Sequence, residues 1–95
     1  MRPKQVKFSG HVIRRMFERS IGQADVLEVV SSGETISEYP DDTPYPSRLL
    51  LGSPQGEALH VVAAFDQETG TVHIITAYRP NPSLWSDDCR TRRSP

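Results

Sequence analysis

The chain has 95 residues, 36% of them hydrophobic and 24% charged, which fits one soluble globular domain and leaves no room for a second core. The longest apolar run is about five residues against the ~20 needed to cross a bilayer, and the basic start (Arg2, Lys4, Lys7) leads into polar sequence rather than the apolar core of a leader. A single cysteine, Cys89, excludes an internal disulfide framework and a cysteine-based zinc site within one chain, so the expected setting is the cytoplasm, without membrane, metal or cofactor.

The net charge of −1 hides a segregation: residues 1–20 carry six basic side chains against Glu18, whereas 21–46 carry six acids and no Lys or Arg. Arg79, Arg90, Arg92 and Arg93 make the carboxyl end basic again. Two basic ends can frame a site for a polyanion, or can be the ordinary segregation of charge on a small surface.

In chain order, Ser9 to Ser20 reads as a helix capped by Ser9, with Val12, Ile13, Met16 and Phe17 on one side and His11, Arg14, Arg15 and Glu18 on the other. Gln23 to Ser32 reads as a second, with Val26, Leu27, Val29 and Val30 as its apolar stripe and Gly33 as its terminating glycine. Strands follow at Thr35–Tyr39, Arg48–Leu51, Ala58–Phe65 and Thr71–Tyr78, with a proline-rich loop at 40–46 and a hairpin loop at Gln67–Gly70. Leu84 and Trp85 are expected to fold back on the core, and 86–95 to fray. The whole is one α+β domain over 1–95, its core at about 8–85, with two helices on one face of a small antiparallel sheet of about four strands.

The hairpin sets Phe65 opposite Val72. Leu59, Val61, Ala63 and Phe65 then share the helix-bearing face with Val72, Ile74 and Thr76, while His60, Val62, Ala64, His73, Ile75 and Ala77 form a half-apolar second face suited to a partner. That register separates His60 from Tyr78, unless a one-residue bulge exchanges the faces.

His11, Arg15 and Arg19 stand at i, i+4 and i+8, each step turning about 40°, and form a slanted stripe along one edge of the first helix. An imidazole beside two guanidiniums suits a phosphate and a proton transfer. The same residues also fit a plain role, with the arginines solvated or paired to Glu18 and the acidic second helix. His60 reads first as a hydrogen-bonded strand histidine and Tyr78 as a lid on the core, and Arg48 as a secondary phosphate ligand. The three histidines have no metal-ligand spacing, and no Walker loop, nucleophile elbow or paired-carboxylate signature is present.

The stretch FSGHVIRRMFERSI resembles the opening S-x-H-A-x-x-R-M-x-x-R-G-I of domain-of-unknown-function family 4258. The resemblance continues through GETISEYPDDTPYPSRLLLG, LHVVAAFD and ITAYRPNPSLW, about residues 8–85. Ser20 stands where glycine is common, and Arg14 where an acidic residue is often found. The family is similar to small toxins of the BrnT, RelE and MqsR type. The resemblance implies a toxin-like, metal-independent endoribonuclease held in check by a small zinc-finger-type antitoxin. His11, His60 and Tyr78 would act as catalytic residues, with Arg15, Arg19 and Arg48 on the RNA. The alternative is a non-catalytic module that binds protein or nucleic acid.

Overall fold

The computed structural model describes residues 3–94; Arg2, one of the amino-terminal cations, lies outside them. The described chain runs β1 (Gln5–Phe8), α1 (Gly10–Glu18), α2 (Gln23–Ser32), β2 (Glu34–Tyr39), β3 (Ser47–Gly52), β4 (Leu59–Asp66) and β5 (Thr71–Tyr78). The fold is α+β, with both helices on one face of a single sheet. That sheet is five-stranded and mixed, in the order β1-β5-β4-β3-β2, rather than four-stranded and antiparallel. The antiparallel run β2 to β5 follows the expected strands, and β1 adds a parallel edge with Phe8 opposite Ile74. Only Val6 and Phe8 in β1 are apolar, and a parallel partner some 65 residues away leaves no turn signal beside it.

Ser9 caps α1 as its hydroxyl predicts, accepting a bond from the Val12 amide at 3.2 Å. α1 lies over β5, whereas α2 lies over β3 and β4. Val12 and Met16 from α1 and Val26, Val29 and Val30 from α2 press on Leu50, Val61, Ala63, Val72 and Ile74 to form the main core. The buried stripe of α1 is narrower than its apolar pattern: Ile13 and Phe17 stay in solvent, because a helix over a single strand presses down a single row of side chains. Gly33 has the expected place but not the left-handed backbone (φ −72°); a Cβ there would meet the Val29 carbonyl oxygen at 2.5 Å. Close approach, rather than a positive φ, makes it glycine.

Phe65 does lie opposite Val72. Alternation then breaks, because Ala63 pairs with Ile74 but Val62 pairs with Thr76, leaving Ile75 as an extra residue. Beyond this bulge the faces of β5 exchange. Ala77 joins the main core instead of the second face, and Tyr78 comes opposite His60.

Much of the second face is covered by the chain itself, although Ile75 stays exposed. Ser47, Leu49, Leu51, His60 and Ala64 are buried on it, and the chain after Pro80 folds back across its His60 end. Trp85 is buried as expected, although Leu84 remains exposed. Of the residues expected to fray, the described ones, 86–94, are held instead: Ser86 N–H donates to the Thr91 carbonyl at 2.8 Å and Arg93 N–H to that of Leu84 at 2.8 Å. Arg90 anchors the same segment to Glu34 of β2 at 2.7 Å and holds that carboxyl below its ordinary range.

Candidate functional site

The first cluster is built from the end of α1 and the end of β5. Helix α1 stops at Glu18, and Ser20 takes a left-handed backbone (φ 56°) that glycine adopts without a Cβ penalty. The carbonyls left free there meet Arg79, whose Nη1 donates to Arg19 O at 2.7 Å and Nη2 to Ser20 O at 3.1 Å. Its Nε donates to Glu57 at 3.1 Å, so one planar fork ties the helix end to the strand that follows the bulge.

β1 pairs with β5 only from Thr71 to Ile74, and beyond that point α1 stands over the bare edge of β5. His11, Arg15 and Arg19 line a cleft of about 130 Å³ there with Ile75, Thr76 and Ala77. Arg19 is the anchor of the stripe, since its Nη1 donates to the Ala77 carbonyl at 2.9 Å and reaches Thr76 Oγ1 at 3.4 Å. Arg15 has only a half-exposed contact with Glu18 at 3.8 Å, which is worth little in solvent. His11 is exposed. One imidazole and one nearly free guanidinium therefore face the cleft, and a second guanidinium is fixed beside them.

The second cluster lies on the opposite face of the sheet. His60 is 0% exposed, with both ring nitrogens occupied. Nε2 lies 2.8 Å from the Cys89 carbonyl, an acceptor only, so Nε2 carries the proton and Nδ1 accepts from the Tyr78 hydroxyl at 3.2 Å. Trp85 stands edge-on to the ring at 4.5 Å. Burial pushes the imidazole below its ordinary pKa against a smaller opposing effect of the Cys89 carbonyl, which keeps it neutral near pH 7. Burial likewise pushes the Tyr78 phenol up, Tyr39 adds to this, and Arg92 opposes it.

The expected site residues thus divide. The bulge at Ile75 brings His60 and Tyr78 together, while the sheet separates them from His11, Arg15 and Arg19. Arg48 joins neither group: it lies on β3, two strands from β5, within 3.8 Å of Glu38. Sequence reasoning missed Arg79, the Cys89 carbonyl and the position of the bulge. Ser20 in place of glycine was the one signal that the end of α1 is a special turn. A larger hollow of about 240 Å³ beneath the α1–α2 turn carries less chemistry, since its polar groups already answer one another: Gln55 donates to Asp25 at 3.1 Å and Arg79 to Glu57. Among the described residues no three His, Cys, Asp or Glu side chains gather where a metal could be held. Among the same residues no helix is long and apolar enough to cross a membrane.

A family model described as domain of unknown function, DUF4258, matches residues 8–79. The chain belongs to this family. The DUF4258 match covers His11, Arg15, Arg19, His60, Tyr78 and Arg79, and ends before the segment that covers His60. No curated protein and no solved structure matches the chain.

Proposed function

We propose that the chain binds RNA across α1 and cleaves it without a metal, as a toxin-like endoribonuclease. The observation that carries this reading is the cleft in which His11 and Arg15 stand free beside an anchored Arg19. In such a reaction the RNA 2′-oxygen attacks the adjacent phosphorus and its proton passes to the His11 imidazole. The bond from phosphorus to the 5′-oxygen then breaks, and that oxygen takes a proton back, leaving a 2′,3′-cyclic phosphate and a 5′-hydroxyl. Arg15, with Arg19 behind it, stabilises the charge that builds on the phosphorane. The nucleophile belongs to the substrate, so the protein has only to place the phosphate and move a proton. His60 and Tyr78 take no part in this mechanism, and Arg48 is too far across the sheet to reach the same phosphate.

The toxin-like character rests on the resemblance to the BrnT, RelE and MqsR kind, which also suggests a similar sheet and a small zinc-finger-type antitoxin, while the single cysteine suggests a cytoplasmic setting. That partner would need a surface other than the second sheet face, where Ala64 is buried and Val62 half-buried. One observation favours the rival reading of a non-catalytic binding module: with His60 closed off, His11 is the one histidine lining the cleft. Incubating the protein with end-labelled RNA in a chelator decides between them. Cleavage to cyclic-phosphate ends supports the nuclease, and binding without cleavage supports the module.

A further inference from the structure

Phe17 is 85% exposed, on the flank of a helix that buries only Val12 and Met16 of its apolar residues. A phenyl ring this exposed, beside a second exposed apolar residue, Ile13, is a contact surface rather than a stray side chain. Its neighbours indicate for what. Phe17, Arg14 and His11 are spaced i, i+3 and i+6, so they form a row that winds across the outer surface of α1, each roughly 5–6 Å from the next. The row begins at the cleft and ends at the ring. Arg14, in its middle, makes no ion pair among the described residues, and Ile13, four residues before Phe17, extends the apolar patch.

We propose that this row is a track for single-stranded RNA, with Phe17 as the platform on which one nucleobase stacks. The inference rests on the reading of the cleft as a phosphate site. With one phosphate between His11 and Arg15, the neighbouring phosphate meets Arg14 and the base beyond it reaches the Phe17 face. An aromatic ring beside arginines is the pairing that single-strand binders use, because every base has a π-face and every link carries a charge. A duplex keeps its bases stacked on one another and offers none to a lone ring on a helix crest. A protein partner fits less well: a stable interface covers about 800 Å² on each side, and the apolar surface of α1 amounts to Phe17 and part of Ile13.

The test uses short RNA oligonucleotides carrying 2-aminopurine, whose fluorescence is quenched on stacking, with wild type, Phe17→Trp, Phe17→Leu and Arg15→Ala. Wild type and Phe17→Trp are expected to bind the single strand and change its emission. Phe17→Leu, which keeps apolar bulk without a ring, should bind about tenfold more weakly with no emission change, while duplex binding is equally weak in all. Single-strand affinity and emission unchanged in Phe17→Leu, with affinity lost in Arg15→Ala, overturn the stacking platform and leave the phosphate site standing. No RNA binding by wild type at low salt overturns both. A Phe17→Leu chain that binds RNA normally but loses self-association seen in wild type makes the patch a protein interface and overturns the track.

Discussion

At the scale of single residues, the two histidines at the centre of the chemical argument have opposite surroundings, and so opposite expected behaviour. His11 is exposed on a helix, where alanine is well tolerated, so His11→Ala and Arg15→Ala should each change unfolding free energy by no more than about 0.5 kcal/mol. Each should reduce RNA cleavage by roughly 10²-fold or more. A large stability loss in either would mean that the pair ties helix to sheet instead. His60 is the reverse case. His60→Ala opens a cavity and strands the Tyr78 hydroxyl and the Cys89 carbonyl, at a cost of about 3 kcal/mol by urea unfolding. Its titration adds a pH signature. Below pH ~6.5 the unfolded chain binds a proton that the folded imidazole, with its lowered pKa, does not. Stability therefore falls as pH drops from there to the folded value, and this contribution is flat above and below that window. A His60→Gln chain lacks this slope, and equal pH dependence in both proteins would contradict a neutral buried ring. Apart from Arg79 and the Cys89 carbonyl, the site residues were legible one by one as reactive side chains at helix or strand positions. Their grouping was not, because one inserted residue in β5 decides which face Tyr78 takes, and Ile75 looks in sequence like any other strand residue.

At the scale of elements, the end of α1 is the joint on which the cleft depends. Ser20 holds a left-handed backbone that costs a residue with a Cβ about 1 kcal/mol, so Ser20→Gly should raise stability by up to that amount. Unchanged or lower stability would mean that this turn carries no strain to relieve. Arg79→Ala removes the fork from two carbonyls at a half-exposed position and should cost about 1 kcal/mol. Arg79→Lys should recover only part, since one ammonium cannot reproduce the planar fork. Full recovery by lysine would show that charge alone is needed. Both helices and the four antiparallel strands could be read from periodicity, the Ser9 cap and the hairpin turn, because those signals are local. The fifth strand could not, since β1 gains its identity only from a partner far along the chain. For the same reason the exposure of Phe17 was hidden: an apolar stripe states which residues can be buried, and the position of α1 over a single strand determines which of them are.

At the scale of the whole molecule, the sheet is a partition. One face carries the helices, and its outer edge carries the cationic cleft; the other is closed over His60 by the segment from Pro80 onward. That segment covers His60 through Trp85 and the Cys89 carbonyl, on a domain of 95 residues whose size keeps its core thin. Removing residues 81–95 should lower the unfolding midpoint sharply and expose apolar surface to a hydrophobic dye, and an unchanged midpoint would show the segment to be dispensable. Charge segregation matters at the same scale, because the acidic stretch 21–46 offers RNA no counter-charge and binding falls to α1. Affinity for single-stranded RNA should then decline with salt at a slope of about −0.7 for each phosphate held, and a flat response would leave the cationic row without a polyanion. The central claim is tested most directly by single-turnover cleavage of end-labelled RNA in excess chelator, with wild type and His11→Ala run side by side at matched folded fraction. The account predicts cyclic-phosphate ends from wild type and a rate lower by roughly 10²-fold from His11→Ala. Equal rates from the two proteins, or intact RNA with both, would contradict it.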